Sequence, residues 1–193
     1  NYSSFELRHA SSGIQTTAPL IAMMNYYAQA FDFKLAQKRS IIDLLFEKNL
    51  TTQYRPEMEL TDMPKYVHIH IEEPELSLDP TSQIQMLNEI IRLAFYAKVD
   101  SREIGLVLAT HSPYIINSLN LLMKAHDCKT DIDGAHISYD DLSVYQIVSG
   151  GVVDLKVKNI HYVNTDRLSE DINNIYDKYQ ELKQLQNEES LGK

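Results

Sequence analysis

The sequence contains one cysteine, Cys128, and no tryptophan. A single thiol excludes an intrachain disulfide and a cysteine zinc site built within the chain, and it fits a reducing, cytosolic setting. Long hydrophobic runs are also lacking. The longest apolar stretch lies around Ala18 to Met24, far short of the roughly 20 residues that span a bilayer. No basic segment leads into an apolar one, so no signal peptide is visible. Glycine and proline are sparse, at six each, and nothing in the composition suggests collagen, disorder or a coiled coil. Positive charge is the scarcer sign: 18 Lys and Arg stand against 27 Asp and Glu, a net charge of −9. That balance argues against a broad nucleic-acid footprint on this chain.

What is present is ordinary globular material. Hydrophobic residues make up 44% and charged residues 23% of 193 residues, enough for one domain or a large piece of one. The first strong feature is Ala10-Ser11-Ser12-Gly13-Ile14-Gln15-Thr16-Thr17. Behind it Leu20, Met23, Met24, Tyr27, Ala30 and Phe31 recur at helical spacing. The Ser and Thr residues are N-cap types and Pro19 suits a first helical turn. A second helix is expected over about Lys34 to Leu50, and Thr51 to Pro64 reads as a connector. Two β-loop-α units follow. Tyr66 to Ile71 is a strand, and Asp79-Pro80 is a cap with proline at the first helical position. Ile104 to Ala109 is the second strand, and Ser112-Pro113 repeats the cap signal. Two such units in series predict adjacent parallel strands in a covered sheet. In the tail, Leu142 to Val148 and Val152 to Val157 flank Ser149-Gly150-Gly151, a hairpin signal. A polar helix over about Ser169 to Gln186 carries Ile172, Ile175, Tyr179 and Leu182 as its apolar stripe. Asn1 stands only ten residues before the Ser-Ser-Gly segment, so the opening reads as a cut inside a domain.

Three segments carry candidate chemistry. In Ile71-Glu72-Glu73-Pro74-Glu75, two acids end a buried strand, where an open α/β sheet places its ligands. Burial disfavours ionised carboxylates, and Mg²⁺, a hard cation that takes oxygen ligands, offsets that cost. Successive strand residues point to opposite faces, so Glu72 and Glu73 serve different roles: one faces the metal, the next the attacking water. His111, in Ala109-Thr110-His111-Ser112-Pro113, follows the second strand, from where an imidazole can reach a γ-phosphate and the lytic water. Ser11, Ser12 and Gly13 open a helix whose amides and positive end suit an anion. A rival pattern is His68-x-His70-x-Glu72, three alternate residues on one strand face, a spacing that ligates metal in hydrolases.

Order and spacing join these segments. Ser-Ser-Gly comes first, the acid-acid-Pro strand end about 60 residues later, Asp79-Pro80 six residues after Glu73, and Thr-His-Ser-Pro roughly 30 beyond that. The sequence resembles the ABC-type ATPases, most closely the soluble branch of the overcoming-lysogenization-defect (OLD) proteins and the AAA-labelled relatives of the SMC and RecF proteins. Ala10 to Gln15 is similar to their signature loop, Ile71 to Pro80 to their Walker B and D-loop, and Ala109 to Pro113 to their switch loop. The resemblance implies an α/β P-loop NTPase fold: a mostly parallel sheet flanked by helices, with a C-terminal β-hairpin and helix. It makes residues 1–193 the C-terminal portion of one ATPase domain, with 1–50 holding the signature loop and helices, 65–125 the two βα units and 142–193 the hairpin and last helix. It implies Glu73 as general base, Glu72 as the acid that organises Mg²⁺, His111 as γ-phosphate sensor and Asp79 at a dimer interface. Ser11, Ser12 and Gly13 would bind ATP held by another protomer. Implied partners are ATP, a homodimer mate or paired ATPase domain, and an N-terminal half bearing the Walker A motif. DNA or a nuclease would be met through regions outside this chain, with no membrane and a cytoplasmic location. Glu72 stands where many relatives carry Asp, Ser12 replaces the first signature glycine and Ile14 its usual polar residue. No G-x-x-x-x-G-K-[ST] occurs in the sequence. Alternatives are a non-hydrolysing ATP-dependent clamp, or a regulatory subunit of a nuclease or defence complex.

Overall fold

The computed structural model describes residues 6–50, 52 and 64–191, and the connector expected at 51–64 lies almost wholly outside them. The chain forms two compact units, Asn1–Thr110 with Asp133–Ala135, and His111–Ile132 with His136–Lys193.

The first unit opens with a 3₁₀ turn, Leu7–His9, and helix α1, Ser12–Asn25. Ser11 is the N-cap, in extended conformation, and its hydroxyl accepts the Ile14 amide at 3.5 Å. The earlier cap moves Pro19 into the helix interior, where the sequence reading had placed it in the first turn. Ser11 wins over Thr16 and Thr17 because it sits where the extended chain ends, while Thr16 turns its hydroxyl back to the helix carbonyls of Gly13 and Ser12, at 2.9 and 3.2 Å. A π-helical segment, Tyr26–Ala30, extends α1. Asp32 then caps helix α2, Phe33–Glu47, accepting the Leu35 amide at 2.9 Å. Phe33 is buried, but Leu35, Ile42, Leu44 and Phe46 stay exposed.

Strands β1, Tyr66–Glu72, and β2, Glu103–Ala109, pair in parallel from Tyr66↔Glu103 to Glu72↔Ala109. Helix α3, Pro80–Ile91, makes the crossover and continues as a π segment, Arg92–Tyr96. Ile69, Ile71 and Ile104 face the core with Met86, Leu87, Ile90, Ile91 and Leu93, all at most 8% exposed. Arg102 is buried as well. Its guanidinium donates to the Tyr27 carbonyl at 2.7 Å and to Asp100 at 3.2 Å, and lies 5.4 Å over the Phe33 ring. Asp133–Ala135 joins this unit through the Asn88 amide, which donates to Asp133 at 3.2 Å.

In the second unit Ser112 caps helix α4, Pro113–Asp127, accepting the Tyr114 and Ile115 amides at 3.2 and 3.3 Å. Ile115, Leu119, Leu122 and Met123 form its buried stripe. Strands β3, Tyr145–Val148, and β4, Gly151–Asp154, make the expected hairpin, with Gly150 at φ +90° in a two-residue loop. The chain breaks step at Leu155. A second antiparallel pair follows, β5, Lys156–Val157, with β6, Tyr162–Val163. The sequence reading had run one strand through to Val157. Asn120 pins β6 to α4 through two bonds to the Val163 backbone, at 2.7 and 2.9 Å. Helix α5, Asp166–Leu191, is longer than expected, and Ile175, Tyr179 and Leu182 of its stripe are exposed. The architecture is therefore mixed α/β, with one parallel pair and two antiparallel pairs among the described residues. Among these residues, no helix is long and apolar enough to cross a membrane.

Candidate functional site

The parallel pairing brings the carboxyl ends of β1 and β2 to one edge. Glu72 ends β1 in register with Ala109, and the Glu73 amide donates to the Ala109 carbonyl at 2.8 Å. There the alternation of the strand stops. Glu73 has φ +45° and Ser77 φ +62°, a left-handed conformation uncommon outside glycine. Between them the chain makes a tight turn, with Leu76 N–H donating to the Glu73 carbonyl and Leu78 N–H to the Glu75 carbonyl, both at 3.0 Å. Pro74 is buried within the turn, while Glu72, Glu73 and Ser77 are exposed. Two strained non-glycine residues so close together suggest a segment held in shape by its surroundings.

The turn hands over to Asp79, whose carboxylate caps α3. It accepts the Thr81 and Ser82 amides at 3.0 and 3.2 Å and the Ser82 hydroxyl at 2.5 Å. The Ser82 hydroxyl is the main cause that holds the Asp79 carboxyl below its ordinary value of 3.8. A depressed carboxyl adds stability above its unfolded pKa and loses it as pH falls through the folded one. We therefore expect Asp79→Ala to lower Tm at neutral pH, with the difference from wild type shrinking below pH 3.8. Thermal melts at neutral pH and at pH about 3 check this; a difference that does not change with pH overturns it.

The Ser-Ser-Gly segment and the acid turn meet. Gly13 is buried at the start of α1, and a Cβ placed on it would lie 2.9 Å from both the Ser77 carbonyl oxygen and a Leu78 methyl. Glycine is required there because backbone meets backbone. Thr16 extends the contact, with its hydroxyl 3.3 Å from the Leu76 carbonyl. From the other side the Gln83 side-chain amide donates to the Leu78 carbonyl at 2.9 Å. Ser11 and Ser12 stay exposed beside Gly13. The Gln15 side chain folds back onto the Ala10 and Arg8 carbonyls, at 2.8 and 3.2 Å. The sequence offered Thr16 only as an N-cap type and did not single out Gln83.

His111 is the first residue of the second unit, two positions after the end of β2, and is exposed. His68, His70 and Glu72 share the exposed face of β1, and the two imidazole centroids are 6.1 Å apart. Among the described residues no three His, Cys, Asp or Glu side chains are set to hold a metal ion. A shallow cavity of about 550 Å³ lies in the second unit, lined by His126, Asp127, Lys129, Thr130, Asp131 and His136. It includes none of the residues singled out in the sequence. No family model, curated protein or solved structure matches the chain.

Proposed function

We propose that this chain is the signature, Walker B and D-loop portion of an ABC-type ATPase that dimerises around ATP and hydrolyses it. The observation that carries the reading is the meeting of Gly13 with Ser77 and Leu78. Two motifs more than 60 residues apart in sequence fold into one contact, and both belong to nucleotide chemistry under the resemblance. The exposure of one sheet face among the described residues supports it. Tyr66, His68, His70 and Glu72 of β1 and Glu103, Val107 and Ala109 of β2 are exposed, whereas parallel sheets are normally covered on both faces. A segment bearing a P-loop would add strands at the edges of this pair, and its helices would supply the cover.

In this reading Glu73 accepts the proton of the attacking water, and His111 donates to the γ-phosphate. The helix-start amides at Ser12 and Gly13 hold the γ-phosphate of nucleotide bound by the other protomer. Glu72, an exposed oxygen donor at the strand end, would hold Mg²⁺, which takes one or two carboxylates together with substrate phosphates. The ion would neutralise charge on the phosphates as the bond to the leaving group breaks.

The test separates the chain from the full-length protein. Alone, the chain lacks the backbone cradle and lysine that grip the phosphates, and calorimetry is expected to detect no ATP binding in the micromolar range. The full-length protein is expected to release phosphate from Mg²⁺-ATP. Micromolar affinity in the isolated chain contradicts the division of labour proposed here. ATP binding by the full-length protein without turnover identifies a clamp instead.

A further inference from the structure

We propose that Thr16 is a positioning residue for Glu73, acting through the turn that the two share. The inference rests on the ATPase reading for the role of Glu73, and on the contacts of the turn alone for the clamp. The turn from Glu73 to Leu78 contains two left-handed non-glycine residues, Glu73 and Ser77. Such conformations are costly and persist where the surroundings fix them. Three contacts fix this one. The Thr16 hydroxyl lies 3.3 Å from the Leu76 carbonyl, the bare Cα of Gly13 lets α1 seat against Ser77, and Gln83 holds the Leu78 carbonyl at 2.9 Å. Leu76 in turn donates its N–H to the Glu73 carbonyl at 3.0 Å. A displacement of Leu76 is thus passed directly to the backbone of Glu73.

The hydroxyl has one proton and three carbonyls in reach, those of Gly13 at 2.9 Å, Ser12 at 3.2 Å and Leu76 at 3.3 Å. Two belong to its own helix, so the proton is shared, and the part that reaches the Leu76 carbonyl is what links the helix start to the turn. Bonding back to helix carbonyls slightly destabilises a helix. Replacing Thr16 with isosteric valine therefore leaves α1 intact and loses the bridge. With the hydroxyl in place, the helix start whose amides face a phosphate and the turn that carries the base move as one piece; without it they are uncoupled.

The experiment uses full-length protein with Thr16→Val and Thr16→Ser, two readouts each. Hydrogen exchange of residues 73–78 reports the clamp, and kcat and KM for ATP report the chemistry. Thr16→Val is expected to speed exchange in the turn and to lower kcat about 3–10-fold, the worth of one neutral hydrogen bond, with KM little changed. Thr16→Ser, which keeps the hydroxyl, is expected to restore both. Unchanged exchange in Thr16→Val overturns the clamp whatever happens to turnover. Faster exchange with unchanged kcat, or failure of serine to rescue, overturns the positioning role. A wild-type protein that hydrolyses no ATP refutes the ATPase reading and this role together, while the exchange data still show whether the clamp exists.

Discussion

Glu73→Gln in the full-length protein is expected to bind ATP as tightly as wild type and to turn it over about 10²–10⁴-fold more slowly, the usual worth of a general base. The amide keeps the size and shape of the side chain and cannot take the proton of water. Two acids stand next to each other, and the backbone distinguishes them. Glu72 is the last paired residue of β1, opposite Ala109, on the exposed face with His68 and His70. Glu73 lies beyond the pairing at φ +45°, so strand alternation no longer dictates its direction. An acid in regular strand geometry suits a fixed ligand. An acid at the head of a constrained turn suits a base that must be aimed. Phosphate release with parallel nucleotide-binding measurements on Glu73→Gln and Glu72→Gln decides the matter. Near-full turnover in Glu73→Gln, with loss in Glu72→Gln, reverses the two assignments.

The parts of the fold that were legible are those specified locally. Asp79-Pro80 and Ser112-Pro113 mark helix starts because a capping side chain and a proline act within one turn, and both caps are formed. Val67 to Ile71 alternates Val and Ile with His, and Ile104 to Leu108 is an apolar run. With a helix between them, parallel pairing was the expected outcome and is the one observed. Signals spread over a few residues at either side of a break were misread. β5 and β6 have two residues each, too few for any period to register. Pro19 matched a first-turn position only if the cap lay at Thr16 or Thr17, and Ser11 captured the cap instead. Amphipathic spacing in α2 and α5 announced apolar stripes, but spacing does not say what covers them, and Phe46 and Leu182 are both more than 60% exposed.

For the candidate site the division is sharper. The candidates were chosen by residue type and order: acids after a strand, a serine-glycine helix start, a histidine after the next strand. That Gly13 touches Ser77 could not, because the contact is between backbones far apart in sequence and leaves no pattern in side-chain chemistry. The glycine looked like a phosphate-approach residue. The structure gives it a packing duty within its own chain, and this changes how the site should be probed.

The second large effect concerns where Ser11, Ser12 and Gly13 act. A charge at Gly13 is the obvious lesion for a phosphate site, but any side chain there collides with Ser77 and Leu78, so loss of function would report disrupted packing. Ser12→Asp avoids this. Ser12 is exposed in the first turn of α1, where a negative side chain favours the helix through its dipole and opposes an incoming phosphate. Like-charge juxtaposition costs several kcal/mol, so Ser12→Asp alone is expected to lower turnover by at least about tenfold. A P-loop lysine variant of the full-length protein should be equally impaired. If α1 serves nucleotide held by the other protomer, a mixed dimer of the two variants gathers both lesions into one composite site and leaves the other intact, and mixing restores part of the activity. If the helix start serves its own nucleotide, each protomer keeps one lesion, and mixing restores nothing at any ratio. Sedimentation in the same mixtures shows whether mixed dimers form. Because ATP lies between the protomers in the first case, dimers should assemble with ATP and persist longest in the Glu73→Gln background. Dimers of equal strength with and without ATP would remove the physical basis for action in trans, since nucleotide would then contribute nothing to the interface it is proposed to fill.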